Sequence, residues 1–328
     1  PVCGVSLVLR PSTYLQYASG LGTSGALHPG ILEPPWNRAG RRLKSDLNSP
    51  IDLMETNIER LKEILHNCAL CPRRCGIDRT RGEKGFCGLD GRIHVDRALA
   101  HHGEEPPLSG SRGAGTIFFS SCNLRCSYCQ NYQISHAAGG DLLDAEGLAR
   151  IMLRLQEEGC HNVEVVTPTP QLPEIAPALL LARRGGLNLP LVFNCGGYED
   201  PDVLRLLEGL VDVYLPDFKY GDDRLAEELS GVKDYSRCAS SSLQEMIRQV
   251  GDELQSAEGI AARGVIVRHL ILPGHVENSL SALKILRSVV PLTVPLSLMS
   301  QYSPIPSVKD HPLLGRRITR EEYERVEI

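Results

Sequence analysis

The sequence predicts an α/β protein whose body is a parallel sheet curled into a partial (β/α)6 barrel. Three observations predict it. From about residue 114, strand-like and helix-like segments alternate about six times, the pattern of a parallel sheet with helices outside. The connections are short and the strands rich in β-branched residues, as strands buried on both faces require. Polar residues stand at the strand ends: a cysteine loop, Thr167/Thr169, Asn194, Asp217/Lys219, Arg268/His269 and Gln301/Tyr302. An open doubly wound sheet competes on the first two counts. The third favours a barrel, whose rim of C-terminal strand ends carries the chemistry.

Residues 1–50, rich in Gly, Pro and Ser with no clear period, read as an irregular N-terminal extension. The region 51–110 is expected to open with an amphipathic helix in "IDLMETNIERLKEILHN", where Leu53, Ile58, Leu61, Ile64 and Leu65 share one side. It delivers the chain to a first cysteine cluster, then to a strand or two and a Pro-rich connection in "GRIHVDRALAHHGEEPPLSG".

The barrel is expected over 111–305. "GTIFFS" is its first strand, and the cysteine loop follows. "DAEGLARIMLRLQEEG" reads as a helix with Asp144 as N-cap and Gly159 as the stop. Strand and helix then pair as "NVEVVTPTP" with "LPEIAPALLLARRGG", "LPLVFNCGGYE" with "DPDVLRLLEGL", and "VDVYLPDFKY" with "DDRLAEELSG". A further helix is expected in "SSLQEMIRQVGDELQ". The strand "GVIVRHLILPG", the helix "ENSLSALKILRSVV" and the strand "PLSLMSQYSP" complete the run, and 306–328 read as a C-terminal tail.

Composition narrows the function classes. The 328 residues are 42% hydrophobic and 23% charged with a formal net charge of −5, which offers nucleic acid no basic face. No run approaches the roughly 18 apolar residues of a membrane span. The apolar stretch near the N-terminus is too short for a secretory signal and has no basic residues before it. A cytoplasmic protein is expected. In that compartment thiols stay reduced, so the clustering of seven of the eleven cysteines points to metal rather than to disulfides. Cys3, Cys160, Cys195 and Cys238 are scattered and read as small buried hydrophobes.

The second cluster, "SSCNLRCSYCQ", places Cys122, Cys126 and Cys129 at spacing C-x3-C-x2-C. A [4Fe–4S] cluster takes four ligands, so three thiolates can hold three irons and leave the fourth open. A zinc site is the competing reading of the bare spacing. The preceding strand, the barrel and the aromatic Tyr128 before the last cysteine weigh against it.

These features resemble the radical S-adenosylmethionine enzymes, and the expected fold becomes a barrel of that type. The resemblance covers nearly the whole chain from residue 68. It is nearest to the uncharacterised iron–sulfur proteins related to pyruvate formate-lyase activating enzyme, in "CALCPRRCGIDRTRGEKGFCG", "SSCNLRCSYCQNYQIS", "VTPTPQ", "VDVYLPDFKY", "VRHLILPG" and "LSLMSQYSP". It implies a [4Fe–4S] cluster on the three cysteines, S-adenosylmethionine as its partner and a low-potential electron donor of the flavodoxin or ferredoxin type. Reductive cleavage of the sulfonium would yield a 5′-deoxyadenosyl radical that abstracts hydrogen from a substrate. It further implies that Tyr128 touches the adenine, partly through its backbone, and that Thr167, Pro168 and Thr169 fill the slot where many members bind the methionine amino group with a Gly-Gly-Glu turn. Asn194 falls to the ribose or methionyl end, Lys219 to the methionyl carboxylate, and Asp217 to an amine or hydroxyl. Asp217 and Lys219, two apart, share one face of their strand, whereas of the neighbours Arg268 and His269 only one can reach the interior.

Cys68, Cys71, Cys75 and Cys87 are spaced C-x2-C-x3-C-x11-C among basic residues. Four ligands close a site, either zinc or an auxiliary [4Fe–4S] cluster. Spacing alone does not choose; a zinc staple for a loop-rich segment is slightly favoured. The substrate stays open between a glycyl residue of a partner enzyme and another peptide, nucleotide or small molecule. A non-catalytic iron–sulfur or zinc protein is the reading from another class, and an open iron argues against it.

Overall fold

The computed structural model of the protein describes residues 5–8 and 50–327. Most of the extension expected over 1–50 lies outside the described residues, as does Cys3. Within it, Val5–Val8 forms a short strand, β1.

Helix α1 (Pro50–Glu63) continues as a 3₁₀ turn, Ile64–Asn67, and buries Ile58, Leu61 and Leu65 at helical spacing. Strand β2 (Ile93–His101) follows the cysteine-rich segment, and a single turn, α2 (Pro106–Ser109), carries a proline in its first turn. Strand β3 (Ala114–Phe119) pairs antiparallel with β2.

Beyond it come α3 (Tyr132–Ser135), β4 (Asp141–Leu143), α4 (Ala145–Glu157), β5 (Val163–Val166), α5 (Leu172–Arg184), β6 (Leu191–Cys195), α6 (Pro201–Arg205) and β7 (Val213–Pro216). The last third holds α7 (Asp223–Ser230), α8 (Tyr235–Val250), β8 (Gln255–Ala257), β9 (Ile260–Val265), β10 (Val267–Leu270), α9 (Val276–Val289), β11 (Leu296–Met299) and α10 (Arg320–Glu327). Asp144 caps α4 as expected: its carboxylate accepts from the Gly147 N–H at 2.7 Å.

Strands β3, β5, β6 and β7 run parallel, then β9, while β10 pairs in parallel with β11. An Asp217–Arg268 bridge carries the ladder from the end of β7 to β10. The parallel run therefore has six positions, with β9 and β10 sharing one. Antiparallel strands flank it, β2 and β4 beyond β3 and β1 beyond β11. Among the described residues the two flanks do not pair, so the barrel is partial.

Alternation along the strands sorts the side chains. Ile117, Val165, Phe193 and Tyr214 join the large outer core beneath the helices. Their inward neighbours Val192, Val213 and Leu215 pack with Ile266 and with Leu108 of α2, which plugs the hollow from below. Above this apolar floor the inward positions turn polar, at Asn194, Asp217 and Arg268, while Glu164 stands in register with Val192 of the floor.

Two segments depart from the sequence expectation. The helix expected over "SSLQEMIRQVGDELQ" begins earlier, at Tyr235, and ends at Val250, where Gly251 takes a positive φ of 88°. The remaining residues instead enter a β8–β9 hairpin. The stretch read as a C-terminal tail carries α10, whose Val326 is buried against Ile271, Val276 and Leu298.

Candidate active site

The loop after β3 and the ends of β5, β6, β7, β10 and β11 open onto one cavity of about 350 Å³, within the size range of small-molecule sites. Cys122, Cys126 and Cys129 line it together with Tyr128, Thr167, Asn194, Asp217, Lys219, Arg268 and Gln301. The cysteine loop is tightly turned: Ser121 and Arg125 have positive φ of 74° and 48°. Each sulfur accepts hydrogen bonds, Cys122 from the Leu124 N–H at 3.3 Å, Cys126 from Ser230 at 3.0 Å and Cys129 from Ser135 at 3.3 Å. Hydrogen bonds to sulfur are among the levers that tune iron–sulfur centres. All three cysteines are free of disulfides.

Opposite charges gather beside the thiols. Lys219 Nζ donates to Asp217 Oδ2 at 2.5 Å, and Arg268 Nε donates to Asp217 Oδ1 at 2.8 Å. Burial alone would raise the Asp217 carboxyl, but Arg268 and Lys219 outweigh it and hold it below its ordinary value. Burial opposes the Lys219 charge, yet Asp217 and the nearby Cys126 raise its pKa, so it stays an ammonium. Arg268 also donates to Asn194 Oδ1 at 2.6 Å and to Glu104 Oε2 at 3.3 Å. Tyr235 at the start of α8 fastens these strand ends: its hydroxyl donates to Gly196 O or Asp217 O and accepts from the Lys219 N–H at 2.8 Å. Gly197, with φ of 80°, lies so close to the Asp217 carbonyl that a Cβ would stand 2.2 Å from it.

The structure separates residues that the sequence grouped. Arg268 faces the cavity; His269 lies behind the sheet, bonded to Phe218 O at 2.6 Å and Ser279 Oγ at 2.9 Å, and its burial lowers its pKa. The same alternation puts Gln301 on the cavity and buries Tyr302, which donates to Leu314 O. Thr167 lines the cavity at a φ of 56°, a strained conformation for a β-branched residue. Thr169 turns away and donates to Glu199 Oε2 at 2.5 Å. Tyr128 packs its ring among Tyr220 and Tyr302 and is almost fully buried. Cys195 is buried yet touches the cavity.

Sequence reading missed four acidic groups. Glu104 and Glu105, placed in a Pro-rich connection, line the cavity. Glu164 is buried below it, accepting from Asn194 at 2.6 Å and Thr116 at 3.1 Å, and burial with the Glu104 charge pushes it up to about 8. Burial likewise pushes Glu199 up to about 8. The signal for Glu164 was present: a lone carboxylate inside the apolar strand "NVEVV" needs partners. Glu105 Oε2 makes no hydrogen bond but faces Arg268 Nη1 at 4.0 Å, and Gln301 Oε1 is buried without a hydrogen bond; both residues line the cavity.

The four upstream cysteines line a cavity of their own with Arg73, Arg74, Arg79, Phe86 and Asn123. Tight turns hold them, through Cys68 N–H to Ile77 O, Gly76 N–H to Cys68 O and Arg74 N–H to Cys71 O. Among the described residues, no group of three or more His, Cys, Asp or Glu side chains is arranged to hold a single metal ion.

The chain is similar to proteins already known. An uncharacterized protein of Methanocaldococcus jannaschii is 31% identical over 84% of this chain and 77% of its own length. The pyruvate formate-lyase-activating enzyme of Clostridium pasteurianum is 28% identical over 56% of this chain and 69% of its own. Among solved structures, the radical S-adenosylmethionine methyltransferase TsrM of Kitasatospora setae, with cobalamin and a [4Fe–4S] cluster bound, aligns at a TM-score of 0.39 and 17% identity. That alignment covers 57% of this chain and 34% of TsrM. The family model for the radical SAM superfamily matches residues 116–280, from within β3, through the cysteine loop, into α9. The matched span thus holds most of β3, the cysteine loop and the parallel strands from β5 to β10, and the chain belongs to the radical SAM superfamily.

Proposed function

We propose that Cys122, Cys126 and Cys129 ligate three irons of a [4Fe–4S] cluster and that S-adenosylmethionine binds in the adjoining cavity. The observation that carries this reading is the meeting of three free thiols and the Asp217–Lys219–Arg268 charge network on one cavity. When bound, the reduced cluster and S-adenosylmethionine supply a 5′-deoxyadenosyl radical that takes a hydrogen atom from a substrate.

The chain's own residues bind, orient and exclude water. Lys219 pairs with the methionyl carboxylate, and its bond to Asp217 aims the ammonium before the ligand arrives. Asp217 and Asn194, both held by Arg268, take the amine and the ribose hydroxyls. Thr167 offers its hydroxyl and backbone to the amino group, while the buried Tyr128 ring sets the backbone beside the adenine. His269 steadies the Asp217–Lys219 segment from behind, through the Phe218 carbonyl, while Thr169 is turned away to Glu199. The aromatic packing of Tyr128, Tyr220 and Tyr302 keeps water from the cysteine loop.

The substrate class we favour is a protein, a glycyl residue of a partner enzyme, on the likeness to the Clostridium pasteurianum activating enzyme. The electron comes from a low-potential flavodoxin or ferredoxin type donor. We take 51–110 as a metal-binding segment docked on a barrel of 111–305. The test is spectroscopic. In anaerobic, reduced protein, adding S-adenosylmethionine should reshape the cluster's EPR signal, and Cys126→Ala should lose that response. A signal indifferent to S-adenosylmethionine in the unaltered chain would refute the reading.

A further inference from the structure

The carbonyl end of α7 abuts the cysteine loop. A helix leaves its last carbonyls without partners of its own and presents a negative pole there. Gly231, with φ of 63°, closes α7. The N–H of Ser127, between Cys126 and Tyr128, donates to Leu229 O at 2.8 Å. Arg73, two residues after Cys71, takes the next two carbonyls, Ser230 O at 2.7 Å and Gly231 O at 3.2 Å. Its Nε donates to Asn123 O at 2.5 Å, inside the loop itself. The guanidinium also lies over the Phe86 ring, 3.3 Å from its centroid. One planar fork from the cysteine-rich segment thus fixes the helix end and the loop together. Its charge offsets the helix pole beside the thiols.

Ser230, held through its carbonyl by Arg73, reaches Cys126 through its hydroxyl. Ser230 Oγ stands 3.0 Å from Cys126 Sγ and 2.6 Å from the Tyr220 hydroxyl. A hydroxyl carries one proton, and a thiolate can only accept. Ser230 therefore gives its proton to Cys126, and Tyr220 donates to Ser230. Burial pushes the Tyr220 phenol well above its ordinary value, so it keeps the proton it donates. Both side chains are buried. Reduction adds negative charge to an iron–sulfur cluster, so a donor aimed at a ligand sulfur favours the reduced state and raises the potential.

We propose that Arg73 is a positioning residue for the radical site. By holding the Ser230 and Asn123 carbonyls it aims the Ser230 hydroxyl at Cys126, with Tyr220 behind, and so raises the reduction potential of the cluster on Cys122, Cys126 and Cys129. The inference rests on the proposed function of that loop. It gives the cysteine-rich segment a part in the chemistry whatever its own four cysteines hold. The step concerned is the gain of one electron by the cluster from an external reductant, with no atom or proton transferred.

The test uses the full chain, reconstituted anaerobically with iron and sulfide. The EPR signal that responds to S-adenosylmethionine is identified first, and its midpoint potential is then measured by redox titration. Ser230→Ala should shift the equilibrium about tenfold against reduction, a potential about 59 mV lower for one electron. Arg73→Lys keeps the charge and loses the fork. It should lower the potential in the chain that has Ser230 and leave it unchanged on top of Ser230→Ala. An unmoved potential in Ser230→Ala overturns the proposal. So does an Arg73→Lys shift that is absent, or that is equal in the two backgrounds, since an equal shift does not pass through Ser230. Should Arg73→Lys not retain iron, Arg73→Gln decides by the same difference between backgrounds. Failure of the radical reading itself would show differently, as no signal in the unaltered chain that responds to S-adenosylmethionine.

Discussion

At the residue scale, chemistry is decided by which neighbour in each pair faces inward. Asp217 and Lys219 lie two apart and both reach the cavity, while Phe218 between them is buried in the outer core. Such pairs were legible in sequence, because strand alternation is a fixed period. The choice between Arg268 and His269 was not, since adjacent residues must split and spacing alone does not say which way. The partners were also hidden: Glu104, in a connection between strands, meets Arg268 only in three dimensions. Lys219→Met should keep much of the stem's packing and remove the charge. Loss of a charge-assisted hydrogen bond of about 1.5–3 kcal/mol predicts S-adenosylmethionine binding roughly ten- to a hundredfold weaker. Iron content should stay near that of the unaltered chain. Calorimetric titration at matched iron loading checks this, and affinity within about twofold would remove Lys219 from the ligand.

At the element scale, periodicity located the helices and strands of the barrel, and capping residues such as Asp144 marked their starts. What escaped were short or partner-dependent pieces. The three-residue strands β4 and β8 exist because β2 and β9 offer edges to pair with, and no local pattern announces that. Helix α8 was foreseen too far along the chain. Its true first turn holds Tyr235, which reads as a polar-flanked tyrosine in sequence but fastens the ends of β6 and β7 in the fold. The cysteine spacings were fully legible, yet their adjacency was not. Nothing local places Cys87 against Ser121; the contact arises because β2 pairs beside β3 and brings the upstream segment to the loop.

At the scale of the whole molecule, the partial barrel leaves a polar interior that has to be kept neutral or paired. The described residues include no helix long and apolar enough to cross a membrane. Glu164 and Glu199 are buried carboxyls, each pushed up to about 8 by burial first. The folded chain therefore keeps these protons to about pH 8, whereas the unfolded chain releases them above its ordinary carboxyl value near 4.5. Between those limits the folded state binds more protons, so their contribution to stability falls as pH rises. Glu104, Glu105 and Arg268 act on Glu164, and Asp200 on Glu199. Glu164→Gln cannot ionise; its oxygen can accept from Asn194 while its amide nitrogen donates to the Thr116 hydroxyl. Its stability should decline less steeply from about pH 5 to about pH 8 than that of the unaltered chain. Denaturant midpoints across that range check it, and parallel curves would mean that Glu164 is not held protonated.

The whole molecule also frames the central claim, that the Cys122 loop and the cavity beside it cleave S-adenosylmethionine reductively. The direct measurement is 5′-deoxyadenosine released by the anaerobic, iron-loaded chain given S-adenosylmethionine and a strong reductant. The unaltered chain should form it, and the variant with Cys122, Cys126 and Cys129 all changed to alanine should form none, although its upstream cysteines are intact. Continued formation of 5′-deoxyadenosine by that variant, or none from the fully loaded unaltered chain, would contradict the claim.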